Sequence, residues 1–175
     1  MVRLMLPFTK EKINKLKCGE EVFLNGLIYT ARDRAHERLV DCIEKGRRLP
    51  FDVRNQIIYY CGPIIQANRL TSCGPTTSSR MDIFMEPLLN AGLRATIGKG
   101  KRHNYVRTFC KKYKSVYFLT HGGCGAYLRK CIKSFKLVAL RELGPEAIYE
   151  FTVEDFPLIV GIDSSGNDIY SDRMP

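Results

Sequence analysis

The distribution of apolar residues along the chain predicts short strands separated by helices. Residues 21–30 alternate between polar and apolar side chains, with an irregularity at Asn25-Gly26, which is typical of a half-buried strand. Short apolar runs of the length that fills a buried strand indicate further strands. These lie at residues 57–61, 95–98, 116–120, 135–140, 147–153 and 158–162.

Helical spacing of apolar residues predicts helices between these strands, at residues 9–17, 32–45, 81–91, 103–111 and 128–132. Thr9 is expected to cap the first helix, and Gly46 to end the second. Pro87 lies inside the third and is expected to kink it. This alternation of strands and helices predicts the α/β class with a mixed sheet flanked by helices.

Length and composition favour one domain over residues 1–175. At 175 residues and 45% hydrophobic, the chain is long enough for one core and short for two ordinary domains. Its apolar runs are shorter than the roughly 20 residues that span a bilayer. The apolar N-terminus is shorter than a secretory signal, so a cytoplasmic location is expected.

The seven cysteines are scattered and show no Cys-x-x-Cys spacing. In a reducing compartment such residues are expected to be buried thiols. Because a metal cluster bound by thiolates needs grouped cysteines, the pattern predicts that this chain does not itself hold one.

A net charge of +10 and a pI near 9.4 are compatible with a nucleic-acid-binding module. The charges are spread along the chain, however, and no known nucleic-acid motif is present, so nucleic acid is the less favoured partner. A basic surface is equally suited to attracting dicarboxylates or an acidic protein.

Two segments indicate carboxylate chemistry. Residues 74–82 read GPTTSSRMD, and residues 97–101 read IGKGK. Arg80 presents a planar fork that can hold a carboxylate through two parallel hydrogen bonds. Lys99 lies between two glycines, which leave room for a close approach of its ammonium group. Thr76 and Thr77 place hydroxyl groups just before a predicted helix.

These segments, together with TARDRAH at residues 30–36 and YCGP at residues 60–63, resemble a known family. The chain is similar to the beta subunit of iron-sulfur class I fumarate hydratases and tartrate dehydratases. The motifs occur in the family's order, and the resemblance covers nearly the whole chain. It implies a swivelling β/β/α domain and reversible addition of water to a small dicarboxylate, fumarate to malate.

The resemblance also implies roles for particular residues. Arg32, Arg80 and Lys99 match the family's carboxylate-binding cations, Gly62 shapes the pocket, and Thr76 matches the threonine used in proton transfer. A [4Fe-4S] cluster is expected on a separate alpha subunit, in an α2β2 assembly. This chain alone is therefore expected to be inactive.

Several alternatives stay open. The substrate is tartrate in some family members, and a binding domain that never meets a cluster would keep the same cations. Thr77, or Thr76 itself, is expected to cap the following helix. Backbone N–H groups of residues 78–80 are expected to face the pocket. Asp33 orients an arginine and His36 touches the subunit interface, or both are structural.

Overall fold

The computed structural model describes residues 2–171, which form nine strands and five α-helices. The strands are β1 (Val2–Met5), β2 (Glu21–Thr30), β3 (Ile57–Tyr59), β4 (Ile64–Gln66), β5 (Arg69–Ser72), β6 (Ala95–Gly98), β7 (Val116–Leu119), β8 (Ile132–Ala139) and β9 (Ile148–Ile162). The α-helices are α1 (Lys10–Lys15), α2 (Asp33–Glu44), α3 (Met85–Asn90), α4 (Tyr105–Tyr113) and α5 (Gly125–Leu128). Short 3₁₀ helices cover Ser78–Phe84, Arg129–Cys131 and Arg141–Glu146.

Five strands of the main sheet close into a barrel. β2, β3, β6 and β7 are neighbours in that order, and each pair is parallel. The long strand β9 runs antiparallel to both β7 and β2 and so joins the two ends. β1 and β8 extend the sheet, whereas β4 and β5 form a separate hairpin. The carboxyl ends of the four parallel strands therefore lie at the same end of the barrel.

Alternating side chains on the strands divide the core in two. Ile57, Tyr59 and Cys61 pack into one buried cluster, while Ile58 and Tyr60 pack into the other. The first cluster also receives apolar residues from α1, and the second receives those of α2, α3 and α4. Both faces of the central strands are buried, which explains their continuous apolar sequences.

The predicted α/β class, with a mixed sheet flanked by helices, is confirmed. Thr9 is the N-cap of α1, and its hydroxyl accepts from the Lys12 N–H at 3.4 Å. The strand over residues 21–30 is found, and its pairing with β9 shifts register between Leu24 and Gly26, as the Asn25-Gly26 irregularity predicted.

Some boundaries differ from those predicted. The two strands expected at residues 147–153 and 158–162 are one continuous strand, β9, which pairs with β8 in its first half and β7 in its second. The helix expected at 81–91 begins earlier, as the Ser78–Phe84 3₁₀ helix, and becomes α-helical at Met85. Residues 128–132 span the end of α5, a 3₁₀ turn and the start of β8. β1 and the β4–β5 hairpin were not predicted.

Among the helices of residues 2–171, none combines the length and apolar character needed to cross a lipid bilayer.

Candidate active site

The candidate residues lie in the loops that follow the parallel strands. Arg32 comes two residues after β2, Gly62 three after β3, and Lys99 immediately after β6. The loop after β7 contributes Gly122, where an added Cβ would lie 3.3 Å from the Lys99 Cδ. Loops at the carboxyl ends of parallel strands form ligand sites in many α/β proteins, because adjacent loops meet at that edge.

Thr76 belongs to a different segment, but backbone hydrogen bonds hold it beside the loops that follow β3 and β6. Its N–H donates to the Tyr60 carbonyl oxygen at 2.7 Å, and its own carbonyl accepts from the Lys99 N–H at 3.3 Å. Two residues on, the Ser78 N–H donates to the Lys99 carbonyl at 3.0 Å. The segment that carries Thr76 therefore pairs with the Gly98-Lys99-Gly100 turn and is held against the end of β3.

Arg80 and Arg32 meet at one carboxylate. The Arg80 Nε and Nη2 donate to the two oxygens of Asp33 at 3.0 and 2.8 Å, in a bidentate pair. The Arg32 Nε lies 3.8 Å from the same carboxylate. Partial burial raises the pKa of Asp33, but the hydrogen bonds from Arg80, a backbone hydrogen bond and the charges of Arg80 and Arg32 together outweigh this, so the net shift is downward. Asp33 therefore stays ionised and orients Arg80, which is the first of the two roles that the sequence suggested for it.

Gly62 allows Arg32 to take its position. A Cβ at residue 62 would lie 3.0 Å from both Cδ and Nη1 of Arg32, closer than ordinary van der Waals contact. Among the described residues, the buried Nε of Arg32 has no hydrogen-bond acceptor. A buried donor without a hydrogen-bond partner is costly, and the nearest carboxylate, that of Asp33, lies 3.8 Å away.

A buried ion pair that the sequence did not predict lies beneath these cations. Arg102 and Asp82 are both fully buried, and the Arg102 Nε donates to an Asp82 oxygen. The other guanidinium nitrogens reach Thr96 Oγ1 at 3.3 Å and Tyr60 Oη at 3.4 Å. Tyr117, whose ring lies 4.7 Å from the Arg102 Cζ, donates to the Gly100 carbonyl at 2.8 Å. The pair thus ties the Lys99 turn to the 3₁₀ helix that carries Arg80.

Two expectations about this region are wrong, and a third is wrong for one of its three residues. Thr77 is the N-cap of the Ser78–Phe84 helix, but it makes no side-chain cap hydrogen bond, and neither does Thr76 cap it. Of the N–H groups of residues 78–80, that of Ser78 donates to the Lys99 carbonyl and so does not face a pocket. His36 is buried inside this chain, with its ring 5.2 Å from that of Tyr60, and is not on an exposed interface.

His36 is held in its neutral form. Its Nδ1 lies 2.8 Å from the Arg32 carbonyl oxygen, to which it donates, while its buried Nε2 has no hydrogen-bond partner among the described residues. Burial lowers the pKa of His36 from 6.5 to about 4, because the charged ring cannot be solvated.

Acid is expected to destabilise the protein partly through His36. Between about pH 6.5 and 4 the unfolded chain binds a proton at this residue that the folded chain does not, so stability falls as pH falls. The contribution to the free energy of unfolding is up to about 1.4 kcal/mol per pH unit.

Chemical denaturation at several pH values should show a shallower pH dependence of stability for His36→Gln than for wild type. The matched variant His121→Gln, at an exposed histidine, should keep the wild-type slope. Equal slopes for all three would contradict this.

Residues 2–171 contain no group of three or more His, Cys, Asp or Glu side chains placed to hold a metal ion. None of the seven cysteines, which all lie within residues 2–171, forms a disulfide. Burial raises the pKa of Cys73 to about 12 and that of Cys110 to about 11, so both stay protonated. Because a [4Fe-4S] cluster needs several cysteines grouped together, the described cysteines do not fit such a site.

The fold and the site together define a mixed α/β barrel domain with cationic side chains at the carboxyl ends of its parallel strands. The fumarase C-terminus family matches residues 1–173, and the chain belongs to that family. The resemblance inferred from the four motifs is thereby confirmed.

Individual relatives differ in length. A Methanocaldococcus jannaschii protein provisionally named L(+)-tartrate dehydratase subunit beta is 43% identical over 173 residues, covering 94% of this chain and 88% of that protein. The L(+)-tartrate dehydratase subunit beta of Escherichia coli K12 is 32% identical over 177 residues, covering 97% and 87%. Fumarate hydratase 2 of Leishmania major is 36% identical over 179 residues, covering 99% of this chain but 32% of that protein. The chain thus spans most of the two beta subunits and about a third of the fumarate hydratase.

Proposed function

We propose that this chain is the beta subunit of a [4Fe-4S]-dependent hydro-lyase that reversibly hydrates fumarate to malate. It would supply the carboxylate-binding cations and the proton-transfer threonine to a site shared with a cluster-bearing alpha subunit. The observation that carries the proposal is the grouping of Arg32, Thr76, Arg80 and Lys99. Arg32 and Arg80 contact the same carboxylate, and Thr76 is paired with Lys99 through backbone hydrogen bonds at the carboxyl ends of the parallel strands.

The charges of the group suit a four-carbon diacid. Asp33 occupies the edge of Arg80 formed by Nε and Nη2, which leaves the Nη1 hydrogens and one on Nη2 for a substrate carboxylate. The Arg32 side chain, which is 30% exposed, offers a second guanidinium. Lys99, at the end of β6, supplies a point charge for the second carboxylate. Two carboxylates would therefore meet three cations, two of which, Arg32 and Arg80, also contact Asp33.

Removal of a proton next to a carboxylate builds additional negative charge on that carboxylate. Cations fixed in advance at this position stabilise the transition state more than the ground state. Thr76 is the proposed proton-transfer group of this chain, and its hydroxyl needs activation by a neighbouring base because it is weakly acidic. The proposed source of that base is a carboxylate of the alpha subunit.

The proposed cluster would polarise the departing hydroxyl group as a Lewis acid. Because the described cysteines do not form a cluster site, we assign the cluster to the alpha subunit. The chain alone should then show no hydratase activity, and anaerobic mixing with the cluster-loaded alpha subunit should produce it. Turnover by the isolated chain would contradict the proposal.

Arg80→Ala should lower kcat/KM of the reconstituted pair by about 10- to 150-fold, because a charge-assisted carboxylate contact of about 1.5–3 kcal/mol is lost. Steady-state hydration of fumarate measures this. Arg38→Ala removes an exposed arginine from the outer part of α2 and serves as the matched control, with an expected change of less than about twofold. Unchanged kinetics for Arg80→Ala would remove that residue from the site.

Tartrate dehydration is a second candidate. Two of the relatives favour it. They match this chain over most of its length and most of their own, and they are named as tartrate dehydratase beta subunits. The two reactions present the same pair of carboxylates and differ in one hydroxyl group. Comparing kcat/KM of the reconstituted pair on malate and on L(+)-tartrate decides between them.

A further inference from the structure

The acidic residues of this protein are distributed very unevenly along the chain. Between Asp52 and Asp82 there is no acidic residue, and between Glu86 and Glu142 there is none. Residues 53–141 contain 16 lysines and arginines but only two carboxylates. This segment is therefore more positive than the whole protein, whose net charge is +10, and the remaining residues are net acidic.

The two carboxylates of this segment are already used. Asp82 is buried against Arg102, and Glu86 accepts from Lys112 Nζ at 2.9 Å. Neither is available to neutralise the exposed cations nearby. Among the described residues, Arg69 and Lys130 have no carboxylate within ion-pair distance, and the Arg129 Nε donates to a backbone carbonyl, that of Leu70, at 2.7 Å.

Exposed apolar side chains occur on the same part of the fold as these cations. Ile64 of β4 is 52% exposed, and Tyr127 of α5 is 58% exposed. α5 and the β4–β5 hairpin are in contact, since the Cys73 N–H donates to the Gly125 carbonyl at 3.2 Å and Arg129 bonds to Leu70. We call the result the hairpin–α5 surface, and it consists of Ile64, Arg69, Tyr127, Arg129 and Lys130.

The hairpin–α5 surface adjoins the candidate site. The hairpin connects Gly62 to the Thr76 segment, and its base is closed by the bridge between Cys61 and Pro75. α5 follows the loop in which Gly122 packs against the Lys99 side chain. A molecule that covers the site from this side would therefore also cover the hairpin–α5 surface.

We propose that the hairpin–α5 surface docks an acidic face of the cluster-bearing alpha subunit, an inference that rests on the proposed function for the identity of the partner. Tyrosine and arginine are enriched in protein interfaces, where an apolar body and a polar end are both used. Unpaired cations steer an acidic partner and fix its orientation. A nucleic acid is the less favoured occupant, because the surface adjoins the candidate active site, which in the proposed function is shared with the alpha subunit.

The test measures binding without turnover. The probe is the alpha subunit from the same source, prepared as the cluster-free apoprotein, and its affinity for the full chain is measured by titration calorimetry. Arg69→Glu/Lys130→Glu should weaken binding by about tenfold or more, and wild-type affinity should fall as salt rises. Tyr127→Ser should weaken binding by about tenfold without changing the charge. Thermal unfolding establishes that both variants are folded.

Lys15→Glu/Lys111→Glu is the matched control, because it reverses two exposed lysines on α1 and α4, outside the hairpin–α5 surface. It should change the affinity by less than about threefold. Equal losses in the control and in Arg69→Glu/Lys130→Glu would overturn the inference, as would unchanged binding by the folded variants. Failure of wild type to bind the apoprotein, or tighter binding of wild type to a mixed-sequence RNA, would overturn it as well.

The inference and the proposed function fail in different ways. A complex that depends on the hairpin–α5 surface but shows no hydratase activity after cluster loading supports the inference and refutes the function. If the reconstituted pair is active but its binding affinity is unchanged by these substitutions, the proposed function is supported and the inference is refuted.

Discussion

Replacing Arg102 by methionine is expected to lower the free energy of unfolding by about 3–5 kcal/mol. The methionine fills similar space, but the Asp82 carboxylate is fully buried and loses its cationic partner. Asp82 keeps hydrogen bonds from the backbone N–H and the Nδ1 of His103, both at 2.8 Å, and these do not replace a fixed charge. Chemical denaturation followed by circular dichroism measures the loss.

Two further variants make the origin of this loss clear. Asp82→Asn combined with Arg102→Met removes both charges, so it should be less destabilising than the two single losses added together. Lys101→Met, at the exposed neighbouring residue, should change stability by less than about 0.5 kcal/mol. A loss for Arg102→Met as small as that of Lys101→Met would show that the buried pair does not hold the Lys99 turn in place.

Thr76→Val is expected to reduce kcat/KM of the reconstituted pair by about 10²- to 10⁴-fold, the range associated with loss of a positioned proton-transfer group. Valine keeps the branched shape of threonine. The hydrogen bonds of residue 76 to Tyr60 and Lys99 are made by the backbone and are retained. The effect should therefore come from the hydroxyl group, and steady-state kinetics of fumarate hydration with the alpha subunit measures it.

The neighbouring threonine is a close control. Thr77 is exposed and makes no side-chain cap hydrogen bond, so Thr77→Val should leave kcat/KM within about twofold of wild type. Thr76→Ser restores a hydroxyl and should recover much of the activity. If Thr76→Val is as active as Thr77→Val, proton transfer belongs to another group, and the carboxylate of the alpha subunit becomes the leading candidate.

Most elements of the fold were predictable because their signals are local. The strands at β2, β3, β6 and β7 have apolar patterns that only a sheet can bury, and α2 shows helical spacing along its full length. The continuous strand β9 was read as two because Pro157 and a polar stretch interrupt its apolar pattern. Its pairing with both β2 and β7 overrides that local signal.

The candidate site was predictable as a set of residues but not as an arrangement. Motif resemblance selected Arg32, Thr76, Arg80 and Lys99, whose catalytic roles stay predictions. The bidentate bond from Arg80 to Asp33 joins residues 47 apart, and the Arg102–Asp82 pair joins residues 20 apart. Local periodicity says nothing about such contacts, so Arg102 resembled one more exposed cation in a basic run.

By itself, the sequence determined the family, the α/β class and the identity of the carboxylate-binding candidates, because short motifs and apolar periodicity are properties of neighbouring residues. Only the tertiary structure decided that four loops meet at one end of a closed barrel. It also decided that Asp33 orients Arg80, that His36 is buried, and that Arg102 lies inside the protein. The reason is physical: strand pairing and burial bring distant residues together, and the chemistry of each side chain then depends on partners that the chain order does not specify.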